Sequence, residues 1–461
     1  MSATLRLEWT RVWRDPTLWV MLLLFALIAA YASFAGERWA QQRAASVEQA
    51  VAEAGEIMAL RRENFTKMVA KGEKPNFGLI YTTALPFRAG LPNAPLAALS
   101  AGQTEGYPAA ASISPFADPW SIFDPHMAGL ESPSVLAAGR FDLAFVIVML
   151  LPLLLIAATY DFWSRDVENG SARFQLAQPV SPGRLLLVRA AVRGGTLLIP
   201  ATLLACGCLF LAGGRDAGDL SLLALIVFAY GLFWIALVVL INLFVRASTT
   251  AALAAGTAWL GLVVLLPAAA ASLSELAAPP PSAMAYTNQV RAAGLEIRAA
   301  NAAAARAAAT AQSGRAYPAS LWHSRREIQQ RDARLAPLHE VQAAQWARHR
   351  SLAERLRYLS PAVVAQAALD RLAGTDAARA LAFQEQARNF AGQVRLLAFD
   401  WMDQDRLMTI ADYDGGLPRF VFAEPSRTRP LAVDLLALTF FVALLFSLGL
   451  LRLRGGAAKL L

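Results

Sequence analysis

The chain has 461 residues, of which 56% are apolar and only 16% charged, against about a quarter charged in soluble globular proteins. With a mean hydropathy of +0.42 it carries more apolar surface than soluble domains can hide, and the same richness excludes disorder. The formal net charge of +8 is almost all arginine; on a membrane protein such an excess orients the chain and meets anionic lipid headgroups, so no nucleic-acid partner is implied.

Six charge-free stretches reach the length that a helix needs to cross a bilayer, about 17–25 residues. Lipid-exposed backbone has to satisfy its own hydrogen bonds, so the expected fold class is an all-α polytopic membrane protein. In chain order the charge-free stretches are residues 16–36, 143–160, 194–214, 220–245, 247–274 and 435–451, and the second and sixth spans are extended at the interface to 140–160 and 431–452. The first follows a basic segment, residues 1–15, carrying Arg6, Arg11 and Arg14. Its apolar stretch is longer than a signal-peptide core, so it reads as an uncleaved anchor. Cys206 and Cys208 lie together in the third span and form no disulfide framework. Pro152, Pro200 and Pro267 fall inside spans. Plain bending is expected of them, with neighbours satisfying the freed carbonyls; a mechanical hinge is the other reading.

Arginine in the short flanks sets the orientation. Arg165, Arg173, Arg184, Arg189 and Arg193 separate the second and third spans, Arg246 separates the fourth and fifth, and Arg452, Arg454 and Lys459 close the chain. With six crossings these segments share one side. The expectation is a bacterial inner-membrane protein with both termini and the tail at 453–461 in the cytoplasm.

Two long segments, residues 37–139 and 275–430, then lie outside; they are too long to be structureless loops. The first starts with a helical pattern, Glu37 to about Lys71, and turns irregular through a series of prolines. The second reads as helix over Met284–Arg315, Leu321–Leu359 and Val363–Leu372, with a stop at Ser360-Pro361. Gly374 has the look of a C-cap, and Thr375-Asp376 of the start of a helix to about Met402. One mainly helical extracytoplasmic domain is expected, with little strand.

Between the second and third spans, residues 161–193 form a compact connector. An acidic patch ends at Gly170, a short amphipathic helix carries Phe174 and Leu176, Pro179 stops it, and Arg184 leads into the next span. Such an element suits force transfer from a soluble partner; an interfacial connector without a partner is the equally weighted alternative. Glu168, Gly170 and Ser171, followed by Gln178-Pro179-Val180-Ser181 and Arg184, resemble the coupling loop of ABC-2 type transporter permeases. Arg6–Pro16, charged and tryptophan-bearing, is similar to that family's interfacial connecting helix, and the six-span layout matches. Gly102-Gln103-Thr104, Ala138-Gly139-Arg140-Phe141-Asp142, Leu359-Ser360-Pro361-Ala362 and Asp412-Tyr413-Asp414 resemble a subfamily with large insertions after the first and fifth spans. Asn169 stands where the loop pattern is often charged, and Ser171 where threonine is commoner.

The resemblance implies two permease subunits, two copies or a sibling pair, each docking a cytoplasmic ABC ATPase. Glu168, Gly170, Ser171, Phe174, Pro179 and Arg184 would be the docking residues. It also implies a pathway at the dimer interface lined by the second and fifth spans. Ala251, Ala255, Gly256 and Gly261 are the candidate pathway or interface positions there, since small residues allow close helix approach.

The sequence has no Gly-x-x-x-x-Gly-Lys-Ser/Thr, the loop that cradles ATP phosphates. No cofactor is therefore expected in this chain; ATP and Mg would sit on the partner ATPase, and the chain itself is not expected to be an enzyme. His126, His323, His339 and His349 show no ligand spacing, so no metal site is expected. Asp400, Asp403, Asp405, Asp412 and Asp414 are read as solvated carboxylates pairing with Arg395, Arg406 and Arg419. Asp142 and Asp434 are read as interfacial markers of span ends, and as pathway residues second. The leading function is a permease coupling ATP hydrolysis to export. The alternative is an ATPase-driven mechanotransmitter or scaffold whose outer domain acts on a periplasmic protein, and a receptor without an ATPase ranks third.

Overall fold

The computed structural model describes residues 3–73, 77–118, 120–123, 140–177, 182–311 and 314–453. Among them six helices are long and apolar enough to cross a membrane, and helix dominates the rest. Helix α1 (Ala3–Trp13) leads into α2 (Pro16–Ala70). Asp15 caps α2 by accepting from the Thr17 amide, and Pro16 occupies its first position, where the missing N–H costs nothing. The sequence pattern divides the first span from the following helical stretch, yet the two are one rod of 55 residues, about 82 Å at 1.5 Å per residue. Nothing at Gly36-Glu37 breaks helix geometry. Gly36 answers a different need: a Cβ there would lie 2.2 Å from the carbonyl oxygen of Ala98.

A small hairpin follows, β1 (Phe87–Gly90) antiparallel to β2 (Ala110–Ile113), with Phe87 opposite Ile113 and Gly90 opposite Ala110. It is the small amount of strand that the sequence leads one to expect in a mainly helical chain. Its alanine-rich strands lack β-branched alternation and are held by packing on a helix. Helix α3 (residues 143–159) is π-helical over Val146–Leu150. Two short helices, α4 (Ser164–Glu168) and α5 (Ser171–Leu176), precede α6 (Pro182–Leu211), α7 (Ala217–Asn242) and α8 (Ser248–Ala277). The remaining helices are α9 (Ala283–Thr310), α10 (Ala319–Leu356), α11 (Pro361–Ala373), α12 (Ala377–Asp403) and α13 (Thr428–Leu453).

Helix α7 is the centre of the bundle and packs on α3, α6, α8, α11 and α13. Its Tyr230 and Trp234 are fully buried. By contrast α2, α8 and α13 leave large apolar side chains exposed, among them Leu23, Leu27, Leu253, Leu265, Leu436 and Phe440, as lipid-facing or partner-facing helices do. Of the span prolines, Pro200 lies inside α6, and Pro152 and Pro267 follow the π-helical turns of α3 and α8. Pro152 cannot bond the Val148 carbonyl, which instead accepts from the Tyr230 hydroxyl at 2.9 Å. Pro267 follows the π-helical turn Leu260–Leu265, where the freed i−5 carbonyl is Leu262; it accepts from Ser360 Oγ at 2.6 Å. Each freed carbonyl is satisfied by a neighbouring segment.

Beyond the bundle, the far half of α2, the hairpin, α9, α10 and α12 build one domain, while α11 packs on α7 and α13 in the core of the bundle. Phe383, Phe390, Val394 and Trp401 of α12 pack against Phe87, Ile113 and Met408. Helices α9 and α10 form an antiparallel pair. Gly374 ends α11 in the left-handed conformation, φ +70°, as the sequence suggests. A loop through residues 93–104 stitches this domain to the bundle. The Ala101 and Phe145 amides both donate to Asp142 at 2.8 Å, Ser100 Oγ donates to Asp370 at 2.7 Å, and the Gln103 amide donates to the Thr375 carbonyl at 3.1 Å. Gly102 adopts φ +53° against Thr375, whose carbonyl oxygen a Cβ would approach to 2.6 Å.

Two readings of acids are corrected here. Asp142 is a buried N-cap, and Asp434 is fully buried inside the first turns of α13, clasped by Arg357 at 2.8 Å and by Arg371. Neither is a charge resting in interfacial water; both are satisfied by donors from distant sequence. In the acidic cluster Asp412 pairs with Arg406 and Asp403 with Arg325, both at 2.5 Å, whereas Arg395 takes Asp332. Arg419 has no hydrogen-bond or ion-pair partner among the described residues.

Candidate functional site

The basic end of the bundle collects α1, α4, α5 and the first turns of α6 and α8. Helix α1 is amphipathic: Glu8 and Val12 are buried, while Trp9 and Trp13 are exposed. Trp9 stacks on Trp13, Trp13 meets Trp19 edge-on at 4.9 Å, and the Trp19 indole donates to the Trp13 carbonyl at 3.2 Å. Tryptophans in such a row suit a membrane–water boundary.

A buried ionic core fixes these elements together. Arg189, 4% exposed on α6, donates through Nε to Glu8 of α1 at 3.0 Å and through Nη1 to Asp166 of α4 at 2.5 Å. Its guanidinium also lies 5.8 Å from the centre of the Trp163 ring. Asp166 in turn accepts from Ser171 Oγ and Gln175 Nε2, both at 3.0 Å. Arg193 and Arg165 share Asp161 at 3.2 and 3.4 Å. A buried charge network is costly unless every member is paired, so it holds the connector in one geometry. Asn242, buried at the end of α7, accepts from the Ser164 amide at 3.1 Å and donates to the Tyr160 carbonyl at 2.9 Å. Sequence reasoning missed Glu8, Asp166, Arg189 and Asn242 as site residues; a lone amide beside an apolar span was the available signal for Asn242.

The connector residues named from the sequence divide by role. Glu168 accepts from the Ser248 amide at 3.2 Å and its hydroxyl at 2.7 Å. It thereby caps α8, whose N-cap residue Ala247 has no side-chain acceptor. Gly170 sits at φ +73° at the start of α5, a region that only glycine enters at no cost. Ser171 ties α5 to α4 through Asp166. Phe174, by contrast, is 79% exposed, and Arg184 is also exposed. Pro179 lies outside the described residues.

A protein-family model described as ABC-2 family transporter protein matches residues 3–452. The chain belongs to this family. A comparison with curated proteins gives no significant match. As an ABC-2 family member it is a multi-pass membrane protein and a permease component; the family is generally non-enzymatic, associates with an ABC ATPase and typically pairs its permeases.

The positions named on the fifth span of this ABC-2 protein fall on different faces of α8. Ala251 and Ala255 are buried, on the part of α8 that packs on α3 and α7, whereas a Cβ at Gly256 or Gly261 would meet nothing within 4 Å. At the domain end, a cavity of about 980 Å³ lies beside Pro267 and Ala271 of α8. Most of its arginines are committed: Arg379 to Glu424, Arg427 to Asp219, and Arg357 and Arg371 to Asp434.

Proposed function

We propose that the chain is the permease subunit of an ABC exporter of the inner membrane, with both termini and the α1/α4/α5 end in the cytoplasm, where a separate ATPase docks. One observation carries this reading: a short helix held rigidly by a buried Glu8–Arg189–Asp166 core presents a bare aromatic, Phe174, 79% exposed. An exposed phenylalanine on an immobilised element is an anchor seeking a pocket. Phe174, Arg184 and Pro179 are the contact residues in this reading, and Glu168, Gly170 and Ser171 set their geometry. ATP and Mg belong to the ATPase. A second permease pairs along the open face of α8 at Gly256 and Gly261, with the outer domain in the periplasm. The test is co-purification from the native host in mild detergent. A P-loop ATPase should accompany the wild-type chain and be lost from Phe174→Glu without loss of folded permease. Retention of the ATPase by that variant, or its absence from the wild type with ATP and vanadate present, refutes the docking role.

The mechanotransmitter reading draws on α2, which continues unbroken from the basic end into the outer domain. Replacing residues 283–429 with a short linker separates the two. Substrate-stimulated ATPase activity that survives the deletion favours a conduit, and its loss together with a co-purifying periplasmic protein favours a transmitter.

A further inference from the structure

A trough of about 810 Å³ runs along the outer domain, lined by α2 between Val51 and Arg62, by β1, and by the segment from Tyr413 to Phe420. Its lining is largely apolar, with Val51 exposed, Met58, Leu417 and Phe420 half-buried and Phe87 and Phe390 buried behind them, and its charged residues are all arginines: Arg62, Arg88 and Arg419. Arg62 is committed to Asp414 at 2.5 Å. The Arg88 and Arg419 side chains have no hydrogen-bond or ion-pair partner among the described residues. This differs in degree from the cavity at the membrane end, where four of the arginines, Arg357, Arg371, Arg379 and Arg427, are neutralised by carboxylates of the same chain. A guanidinium fork beside an apolar floor matches a carboxylate next to an apolar group.

The position of the trough selects the kind of ligand. Val51 and Arg62 lie about 22 and 39 Å along α2 beyond Gly36, at 1.5 Å per residue. The headgroup layer extends only about 5–8 Å past the hydrocarbon, so a lipid resting in the bilayer does not reach the trough. Its length along α2, about 16 Å, equals about five residues of extended chain.

We propose that this trough docks an extended acidic, aromatic-bearing segment of a second protein on the same side of the membrane, its apolar side chains against Val51, Met58 and Phe420 and its carboxylates on Arg88 and Arg419. The inference does not rest on the ATPase reading, and its test needs no ATPase. The full chain in lipid nanodiscs is panned with a random heptapeptide phage library, with the R88E/R419E variant in nanodiscs for subtraction. Enriched peptides are then synthesised and titrated by fluorescence anisotropy. The expected winners carry Asp or Glu beside Phe, Trp or Leu. They should bind R88E/R419E about tenfold or more weakly, and lysine-for-glutamate versions should regain binding on that variant. An R88Q/R419Q variant with unchanged elution and near-ultraviolet dichroism, yet equally weakened, keeps misfolding out of the argument. Lack of enrichment, winners without acidic residues, or equal affinity for the charge-reversed chain overturns the proposal. So does saturable binding of dodecanoate with no peptide bound, which makes the trough a small-anion site.

Discussion

Replacing Arg189 with leucine removes the one cation shared by α1, α4 and α6. Glu8, 2% exposed, would keep only Arg11 at 3.3 Å, an arginine whose side chain is 55% exposed. Asp166 is better placed: it is a quarter exposed and retains Ser171 and Gln175. Removing one partner of a buried pair costs roughly 3–5 kcal/mol. Because Asp166 remains partly satisfied, the loss should fall near the lower bound, about 3 kcal/mol, most of it from stranding Glu8. Equilibrium unfolding in mixed micelles with rising SDS reads this directly. Glu8→Gln in the same background should recover about 2 kcal/mol, as a double-mutant cycle on touching residues reports. ATPase retention should fall with Arg189→Leu, because α5 loses its footing. A single variant within about 0.5 kcal/mol of wild type, or additive singles with no coupling energy, would refute the claim that this core sets the connector geometry.

Gly170→Val forces a β-branched residue into φ +73° and should cost about 1–2 kcal/mol, with Gly170→Asn closer to wild type in the same unfolding assay. Glu168→Ala removes the cap on α8 and should lower stability; Glu168→Gln, which keeps an acceptor oxygen, should lose less, and equal losses would deny the capping role. Burial pushes the Asp370 carboxyl up from 3.8 to about 7. The folded state then holds a proton that the unfolded state has lost, so stability falls as pH rises from about 4 to 7 and levels above it. Asp370→Asn keeps an acceptor for Ser100 and Gln366, should flatten that slope and should make the protein more stable at pH 8. A slope unchanged by the substitution would place the titration elsewhere.

The spans were legible because membrane helices announce themselves locally, by about twenty uncharged residues at a stretch. The Gly374 cap was legible for the same reason, since a glycine after a helical run is a local signal. What escaped the sequence depends on partners far along the chain. Asp434 is an interfacial acid by sequence, and only the fold brings Arg357 and Arg371 onto it. Glu168 fits a docking motif by spacing, yet its hydrogen bonds go to Ser248, eighty residues away. The continuity of α2 was hidden for a different reason: the change from apolar to charged composition at Glu37 marks a change of solvent, not a change of backbone geometry.

Solvent change without backbone change gives the molecule two stiff members that join its ends. Helix α2 runs through both environments as one rod. Helix α8 is gripped at its first turn by Glu168 and, within its π-helical turn, by Ser360 at the Leu262 carbonyl. Ser360 is itself the N-cap of α11, whose Asp370 and Arg371 bind the loop at Ser100 and the buried Asp434. A displacement of α4 at one end therefore meets no flexible joint before the stitched loop at the other, apart from the π-helical turn of α8. A π turn is the place in a helix where the hydrogen-bond register can shift at least cost. If the connector drives the outer domain, the motion is best absorbed there. Ser360→Ala, which releases the Leu262 carbonyl, should then alter ATPase stimulation more than it alters stability. Equal loss of both would make Ser360 a packing residue only.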